Sequence, residues 1–538
     1  MTDSVACASA VIGQLLAQGV TDLVLAPGSR SAPLALVAYA AARDGRLRLH
    51  VRVDERSAGF LALGIAKASG RCVPIVTTSG TAVGNLLPAV MEAHHCGVPL
   101  LVVSADRPAS LVGFGANQTT EQSQLFAGFL RYRARVSSLA SDQSWLAQAA
   151  RAVIAAEGPL SRFPGPAHLN VELGQPLVAA AVGAPPELPA VVVGAAPAPG
   201  SCALPGAPRT LVVCGDATLA VGRTATELAE AAGLPLLAEP SSNARTGANA
   251  LAAGRLLLAG DLAARIERVI VYGRPTLSRP VTRLLSRDDV EVVVVATSPD
   301  FVDPGWRASL IASVVSVEPG PADWLASWQQ ADREQADRVA QPCDRLVETV
   351  EAALPTGPQV AALVVAAVPA DQVLCLGNSN PIRDADLAQV RPASPPVYAN
   401  RGLSGIDGTL ATAVGVALGS GRPTTLLCGD LSFVHDVGAL AIGPGEPRPQ
   451  LRIVVADDAG GSIFATLEYG NEPFADAFER VFATPTGLDL VALSAGFGVP
   501  AMRITGAAEF AGALAEPVTC LEVLVVDIDR NRRASRQD

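Results

Sequence analysis

Short apolar runs rich in β-branched residues alternate along the chain with longer segments in which apolar residues recur at a helical spacing. The amino-terminal third shows the pattern most clearly. Residues 5–16 have a helical period, and strand-like runs follow at residues 22–25, 47–53, 73–77 and 100–103. Repeated alternation of strand and helix is typical of βαβ units, which form parallel sheets covered by helices. The pattern therefore predicts an α/β fold.

The same alternation continues beyond a stretch rich in Ala, Pro and Gly at residues 174–208, which has the composition of a linker. In the second block, strands are predicted at residues 209–214, 268–272, 290–296 and 314–317, followed by a charged helix at residues 324–345. A turn-rich segment at residues 355–358 introduces a third block. We therefore predict three α/β domains, at residues 1–180, 190–345 and 350–538, each with a parallel sheet flanked by helices.

Acidic residues close two neighbouring strands of the third block. Asp430 follows the apolar run 423–428, and the pair Asp457 and Asp458 follows the run 451–455. The carboxyl ends of parallel strands are where open α/β sheets bind ligands. Carboxylate oxygens suit Mg²⁺, and small residues after each acid leave backbone amides open to a phosphate. A single Asp at such a turn is more often a helix N-cap, but two in adjacent βα units favour a metal–diphosphate site.

Composition narrows the class of protein. The net charge of the 538-residue chain is −11 and no basic block is present, which argues against a nucleic-acid partner. No apolar stretch reaches membrane-spanning length and the first basic residue is Arg30, so we expect a cytoplasmic enzyme with no membrane partner. The nine cysteines form no zinc motif, and no dinucleotide fingerprint or P-loop occurs.

An Asp that closes one strand, and an acid or amide pair that closes the next, resemble the signature of thiamine-diphosphate enzymes. The usual pattern is Gly-Asp-Gly followed by Asn-Asn. The resemblance implies that Asp430, Asp458 and the carbonyl of Gly460 hold Mg²⁺ or Mn²⁺. Leu431 and the Asp457–Asp458 pair depart from the pattern, which leaves open which acid of the pair is the inner ligand. An extra carboxylate beside a diphosphate should make cofactor binding steeply dependent on metal.

Enzymes of this superfamily also use a glutamate that hydrogen-bonds the aminopyrimidine ring of thiamine diphosphate. Glu55 has the matching position just past a strand end. Taken alone, Glu55 is better explained as an acid in the first turn of a helix, but beside the metal motif the catalytic interpretation is favoured. The cofactor-binding residues that the resemblance implies are Glu55, Ser79, Gly80, Ile406, Gly429, Asp430, Leu431, Ser432, Gly460 and Ile463.

Finer motifs are similar to the family of 2-succinyl-5-enolpyruvyl-6-hydroxy-3-cyclohexene-1-carboxylate (SEPHCHC) synthases of menaquinone biosynthesis. These motifs lie at residues 26–31, 78–82, 104–108, 115–119, 377–379, 400–408 and 460–464. The family reaction decarboxylates 2-oxoglutarate and adds the succinyl carbanion equivalent to isochorismate in a 1,4 sense, so the chain is expected to be a transferase. The substrate-binding residues that the resemblance implies are Ser29, Arg30, Arg107, Asn117, Gln118, Arg279, Ser379, Arg383, Arg401 and Phe464.

Four of these arginines fall on predicted strand-end loops, namely Arg30, Arg107, Arg383 and Arg401. Guanidinium forks in such positions can bind carboxylates bidentately. The alternative for any single arginine is a solvated surface group, and apolar residues such as Ile406 and Phe464 are often core. The resemblance names the first domain pyrimidine-binding and the third diphosphate-binding, and implies a homodimer or homotetramer with active sites between subunits. Two alternatives stay open: another thiamine-diphosphate 2-oxoacid decarboxylase or carboligase, and a noncatalytic α/β ligand-binding protein.

Overall fold

Parallel sheets form the framework of the chain, as the hydrophobic pattern predicts. The computed structural model describes residues 4–178, 181–194, 196–296, 298, 300–349 and 354–530. Within these residues, every pair of neighbouring strands in every sheet runs parallel. The predicted α/β fold class is therefore confirmed. None of the described helices combines the length and the apolar character needed to cross a membrane.

The first sheet is built from the amino-terminal block. Its strands are β1 (Asp22–Leu25), β2 (Arg48–Val51), β3 (Val73–Thr77), β4 (Leu100–Asp106), β5 (Tyr132–Ser137) and β6 (Ala167–Glu172). The helices are α1 (Ser4–Ala17), α2 (Ala32–Arg43), α3 (Glu55–Ser69), α4 (Thr81–Gly84), α5 (Leu87–Cys96) and α6 (Asp142–Glu157). The strand order is β2-β1-β3-β4-β6-β5. Val11, Leu34 and Trp145 from three helices join the strands in one apolar cluster on the sheet.

The central block contains strands β7 (Ser201–Leu204), β8 (Thr210–Cys214), β9 (Leu236–Ala238), β10 (Arg268–Tyr272), β11 (Glu291–Val295), β12 (Ala308–Ala312) and β13 (Val314–Val317). Its helices are α7 (Leu219–Ala232), α8 (Gly254–Leu257), α9 (Asp261–Ala264), α10 (Arg279–Leu285) and α11 (Ala322–Thr349). Five strands form one sheet in the order β12-β11-β10-β8-β9, and β13 pairs separately with β7.

That separate pair corrects two details of the sequence prediction. Residues 201–204 lie in the stretch taken as linker, and residues 314–317 were expected in the central sheet. Instead Val314 pairs with Ser201 and Val317 with Leu204. The segment 201–204 has little β-propensity of its own, so its strand depends on a partner more than a hundred residues away along the chain.

The third block contains strands β14 (Val373–Leu376), β15 (Val397–Tyr398), β16 (Thr424–Gly429), β17 (Leu451–Asp457), β18 (Ala501–Ile504) and β19 (Leu521–Asp527). Its helices are α12 (Gly357–Ala367), α13 (Asn380–Ala385), α14 (Thr409–Ser420), α15 (Asp430–His435), α16 (Ala475–Phe478), α17 (Leu490–Gly496) and α18 (Ala507–Ala515). The strand order, β15-β14-β16-β17-β19-β18, has the same topology as the first sheet.

By their internal contacts, the residues form two compact units. Unit 1 comprises the chain up to Ala196 with Gly402–Gly421 and Asp436–Pro449, and unit 2 comprises Pro197–Arg401, Arg422–His435 and the chain from Gln450 onward. The three domain boundaries drawn from the sequence stay a prediction.

Within unit 1, helices α3 and α14 pack backbone to backbone. A Cβ atom on Gly64 would lie 2.2 Å from the carbonyl oxygen of Thr412, and one on Gly415 would lie 2.2 Å from the carbonyl oxygen of Leu61. Only glycine permits so close an approach. Because α3 begins at Glu55, this contact fixes the helix that carries the predicted catalytic glutamate.

We predict that Gly415→Ala lowers the free energy of unfolding by about 1–3 kcal/mol, because the new methyl group meets backbone that cannot move aside. Gly512→Ala is the matched control, since this glycine also lies in a helix but its Cβ would meet nothing within 4 Å. Gly512→Ala should leave the free energy of unfolding unchanged or raise it by up to about 1 kcal/mol. Calorimetric melting of both variants tests the pair, and equal melting temperatures would contradict the close packing of α3 and α14.

Candidate active site

Four of the predicted site residues follow the strands at which the order of the first and third sheets reverses. Ligands of open parallel sheets bind at such switch points, outside the carboxyl ends of the strands. In the first sheet the reversal falls between β1 and β3, which lead to Ser29 and Ser79. In the third sheet it falls between β14 and β16, which lead to Ser379 and Asp430.

Asp430 and Asp458 form a buried pair of carboxyl groups in unit 2. Asp430 directly follows β16 and Asp458 directly follows β17, and the strands pair with Gly429 opposite Ala456. The two residues are only 6% and 7% exposed. Burial raises the pKa of Asp430 to about 7, and the negative charge of Asp458 adds to the shift. Two such groups are stable in their charged form only beside a compensating positive charge, and carboxylate oxygens are suitable ligands for a divalent metal ion.

Asp457 has a different environment. Its Oδ2 lies 3.2 Å from Nη1 of Arg503, and its Oδ1 accepts a hydrogen bond from the backbone of Ala459. Arg503 thus compensates the charge of Asp457. Asp458 instead accepts a hydrogen bond from the hydroxyl of Ser462, and it repels Asp430 more strongly than Asp457 does. The geometry separates the two acids that the sequence left equivalent.

The turn after Asp458 requires glycine. Gly460 has a φ of +135°, and a Cβ there would lie 2.5 Å from the carbonyl oxygen of Ala483. The turn is held from the side by Asn380, whose Nδ2 donates to the hydroxyl of Ser462 at 2.9 Å. The backbone amide of Gly460 in turn donates to Asp430. The metal-site residues predicted from the sequence are therefore brought together.

Ser379 adopts an unusual backbone conformation, with φ 71° and ψ −132°, at the start of α13. For a residue other than glycine this conformation costs on the order of 1–3 kcal/mol and is typical of functional sites. The preceding residue, Asn378, is held on both sides: its Nδ2 donates to the carbonyl of Asn400, and its Oδ1 accepts from Arg401. These contacts hold the strained turn in place.

The arginines of unit 2 differ in environment. Arg401 is buried. Its Nη1 donates to Asn378 at 2.9 Å and its Nη2 donates to Thr276 at 3.0 Å, while its Nε has no hydrogen-bond partner among the described residues.

Arg383 donates from Nη1 to the carbonyl of Leu277 at 2.6 Å. It lies within α13, not on a loop as predicted, because the helix starts directly after the strained turn. Arg279 starts α10 on the surface, 3.8 Å from Glu468.

In unit 1, Glu55 is the first residue of α3, half-buried at a helix start that Asp54 caps by accepting from the backbone of Arg56. Its Oε2 accepts a hydrogen bond from Nδ2 of Asn85 at 3.2 Å. The carboxyl group therefore has both an anchor and an accessible side.

Ser79, Arg107 and Gln118 form a closed hydrogen-bonded group in unit 1. Nη1 of Arg107 donates to the hydroxyl of Ser79 at 2.9 Å and to the carbonyl of Gln118 at 2.7 Å. Nε2 of Gln118 donates back to the carbonyl of Ser79 at 2.8 Å. The amide of Gly80 donates to Gln122. Burial and the positive charge of Arg107 lower the pKa of Arg30, so an anion bound near both groups would be stabilised.

The strand that leads to Arg107 is longer than predicted. Residues 104–106 were expected to form a loop, but β4 continues to Asp106. The reason is a buried polar network: Asn170 on β6 accepts from the hydroxyl of Ser104 at 2.9 Å and donates to Asp106 at 2.9 Å. Polar side chains inside a sheet need such partners, and these come from a strand that the sequence analysis did not find.

The remaining predicted residues vary in exposure. Ser29 and Asn117 are exposed, Ser432 is buried, and four apolar residues are half-buried, namely Ile406, Leu431, Ile463 and Phe464. The rings of Phe464 and Phe482 lie 5.9 Å apart.

Residues that the sequence analysis did not assign to the site also contact it, among them Asn85, Asn380, Ser462 and Arg503. Of these four, only Ser462 lies in a motif singled out from the sequence. Arg503 is brought to Asp457 by the pairing of β18 and β19 beside β17, which no local pattern indicates.

Comparison with known proteins agrees with this architecture. Residues 6–126 match the family model of the thiamine pyrophosphate enzyme, N-terminal TPP binding domain. Three similar proteins carry the name 2-succinyl-5-enolpyruvyl-6-hydroxy-3-cyclohexene-1-carboxylate synthase. That of Kineococcus radiotolerans is 49% identical over 99% of this chain and 97% of its own length. The Nocardioides protein is 46% identical over 98% of this chain and 96% of its own length. The Rhodococcus erythropolis protein is 42% identical over 99% of this chain and 98% of its own length.

With this identity over nearly its whole length, the chain belongs to the family of 2-succinyl-5-enolpyruvyl-6-hydroxy-3-cyclohexene-1-carboxylate synthases, which confirms the resemblance seen in its motifs.

Proposed function

We propose that the protein is a thiamine-diphosphate-dependent transferase that decarboxylates 2-oxoglutarate and adds the succinyl unit to isochorismate in a 1,4 sense, giving SEPHCHC and CO₂ in menaquinone biosynthesis. The buried pair Asp430 and Asp458 at adjacent strand ends is the observation that carries the proposal. Family membership over nearly the full chain supports the substrate assignment.

The donor set fits a divalent cation bound to a diphosphate. We assign Mg²⁺ or Mn²⁺ to the carboxylates of Asp430 and Asp458 and the carbonyl of Gly460, a hard oxygen set. The ion pair between Asp457 and Arg503 supports Asp458 as the inner ligand. Backbone at Gly429, Leu431 and Ser432 supplies the diphosphate side, since a Cβ on Gly429 would meet nothing within 4 Å. The cofactor supplies a nucleophilic carbon and an electron sink.

Glu55 has the role of proton-transfer group at the aminopyrimidine ring. Asn85 holds one carboxylate oxygen, so the other oxygen would be the one to exchange a proton with the aminopyrimidine ring when the cofactor is bound. Ser79, Gly80, Ile406 and Ile463 are assigned to the walls around the cofactor.

The arginines are assigned to the substrate carboxylates, because a planar guanidinium binds a carboxylate through two parallel hydrogen bonds. In unit 1 the group comprises Arg30 and Arg107 with Ser29, Asn117 and Gln118. In unit 2 it comprises Arg383 and Arg401 with Ser379, Phe464 and, at the surface, Arg279. Two observations support these assignments. Among the described residues, Nε of Arg401 has no hydrogen-bond partner, and the positive charge of Arg107 acts on Arg30.

We further propose a homodimer or homotetramer in which each active site combines Glu55 of one subunit with Asp430 of another, as the family resemblance implies. The small metabolic anions proposed as substrates support placing the enzyme in the cytoplasm.

Purified protein with thiamine diphosphate, Mg²⁺ and 2-oxoglutarate is predicted to release CO₂ and, with isochorismate present, to form the succinyl adduct. Glu55→Gln should lower the rate by about 10²–10⁴-fold, because the proton-transfer group is lost. Mass spectrometry of the products measures CO₂ release and adduct formation by the wild-type protein and the variant. CO₂ release without the adduct would point to a different 2-oxoacid decarboxylase, and an unchanged Glu55→Gln variant to a noncatalytic protein.

Asp458→Ala is predicted to weaken Mg²⁺ binding, measured by calorimetry with thiamine diphosphate present, by at least about 100-fold, because an inner ligand is lost. Asp457→Ala is the matched control and should change the affinity only a few-fold. Wild-type affinity should also fall as the pH drops through about 7, since a proton on Asp430 competes with the cation. The opposite order of the two variants would make Asp457 the inner ligand.

Mixing two inactive variants tests the composite site. If Glu55 and Asp430 act across subunits, re-associating equal amounts of Glu55→Gln and Asp430→Ala protein should restore about a quarter of wild-type activity, because half of the dimers carry one intact site. Activity that stays at the level of the separate variants would place both residues of a site in the same chain.

A further inference from the structure

We propose that Glu239 of the central block is a positioning residue for the carboxylate-binding arginines Arg401 and Arg383. It holds the segment Thr276–Leu277 in the orientation that both guanidinium groups require. The identity of the bound carboxylate rests on the proposed function, and the positioning role rests on the contacts below.

Glu239 is held rigidly at a strand end. It directly follows β9, its backbone amide donates to the carbonyl of Cys214 at 2.9 Å, and the residue is 3% exposed. Its Oε1 accepts a hydrogen bond from the backbone amide of Leu277 at 2.9 Å. A buried glutamate that accepts from a loop amide fixes the orientation of that peptide group.

The two residues of the segment each contact one arginine. The hydroxyl of Thr276 accepts from Nη2 of Arg401 at 3.0 Å, and the carbonyl of Leu277 accepts from Nη1 of Arg383 at 2.6 Å. The arginines come from separate elements, one after β15 and one within α13. A single short segment of the central block therefore sets the position of both.

The segment is anchored on its other side as well. The side chain of Leu277 is buried in the apolar cluster of the third block, together with Val360 and Ile382. Rotation of the Leu277 peptide would move this side chain out of the cluster. The amide contact with Glu239 and the apolar contact thus select one conformation together.

The charge of Glu239 also matters for Arg401. The pKa of Glu239 is raised to about 8, mainly by burial; the Leu277 amide and Arg401 oppose the rise, and Asp386 and Asp216 add to it. The group is thus largely neutral at pH 7, which leaves the charge of Arg401 available to a ligand. Glutamine has the shape of this neutral acid, so Glu239→Gln should preserve the contact with Leu277.

The first arm of the test is kinetic. Glu239→Ala is predicted to raise the KM for 2-oxoglutarate by about tenfold or more, since the Leu277 amide loses its acceptor, while Mg²⁺ and thiamine diphosphate bind with unchanged affinity. Glu239→Gln should stay within about threefold of wild type. Thr276→Val, which removes only the acceptor for Arg401, should raise KM in the same direction even if Glu239→Ala fails to fold.

Asp332→Ala is the matched control. Asp332 is another buried carboxyl group of the central block that accepts from two backbone amides, those of Ala252 and Ala253 at 2.9 and 2.7 Å. Its loss should lower thermal stability and leave KM unchanged. An equal rise of KM in Asp332→Ala, or a Glu239→Gln variant as impaired as Glu239→Ala, would overturn the proposal.

The second arm needs no turnover. Hydrogen exchange followed by mass spectrometry should show faster exchange at residues 276–277 in Glu239→Ala, and wild-type protection in Glu239→Gln. If the exchange pattern is as predicted but the wild-type protein does not convert 2-oxoglutarate, the proposed function is refuted and the positioning role stands. Normal turnover with exchange and KM unchanged in Glu239→Ala would refute the positioning role alone.

Discussion

The repulsion between two buried carboxylates is the constraint around which the third block is arranged. The register of β16 and β17 places Asp430 and Asp458 side by side. Both are buried, so neither carboxylate is well hydrated and its charged form is unfavourable. Their neighbours make the arrangement tolerable: the amide of Gly460 donates to Asp430, and Ser462 donates to Asp458. A divalent cation bound here, as we propose, would remove the remaining cost and would couple metal binding to local stability.

Arg503 explains how this chain accommodates an acid where the thiamine-diphosphate pattern usually has an amide. The ion pair with Arg503 offsets part of the charge of Asp457, which repels Asp430 less strongly than Asp458 does. Arg503 also pairs with Asp527 on the neighbouring strand. The electrostatic penalty of three clustered acids is thereby lowered.

The first and third sheets share one topology but carry different polar groups at their strand ends. Those of the third sheet present buried carboxylates and a strained serine as well as arginines, whereas those of the first present hydroxyl, amide and guanidinium groups. The central block contributes differently, through a peptide segment that contacts Arg383 and Arg401. One fold thus supports distinct chemistry because function lies in the strand-end loops.

Local pattern was enough to predict the features that local sequence determines. The strands 73–77 and 268–272 and the acids at the ends of β16 and β17 were all predicted correctly, since each is an apolar run closed by a polar residue. Features that depend on distant partners were not. The strand at residues 201–204 needs Val314, the extension of β4 needs Asn170, and the distinction between Asp457 and Asp458 needs Arg503.

The most direct test of the central claim is the position of the metal itself. Crystals grown with Mn²⁺ and thiamine diphosphate should give an anomalous difference peak ligated by the carboxylates of Asp430 and Asp458 and the carbonyl oxygen of Gly460. A peak on Asp457 instead, or bound cofactor with no peak beside Asp430, would contradict the account.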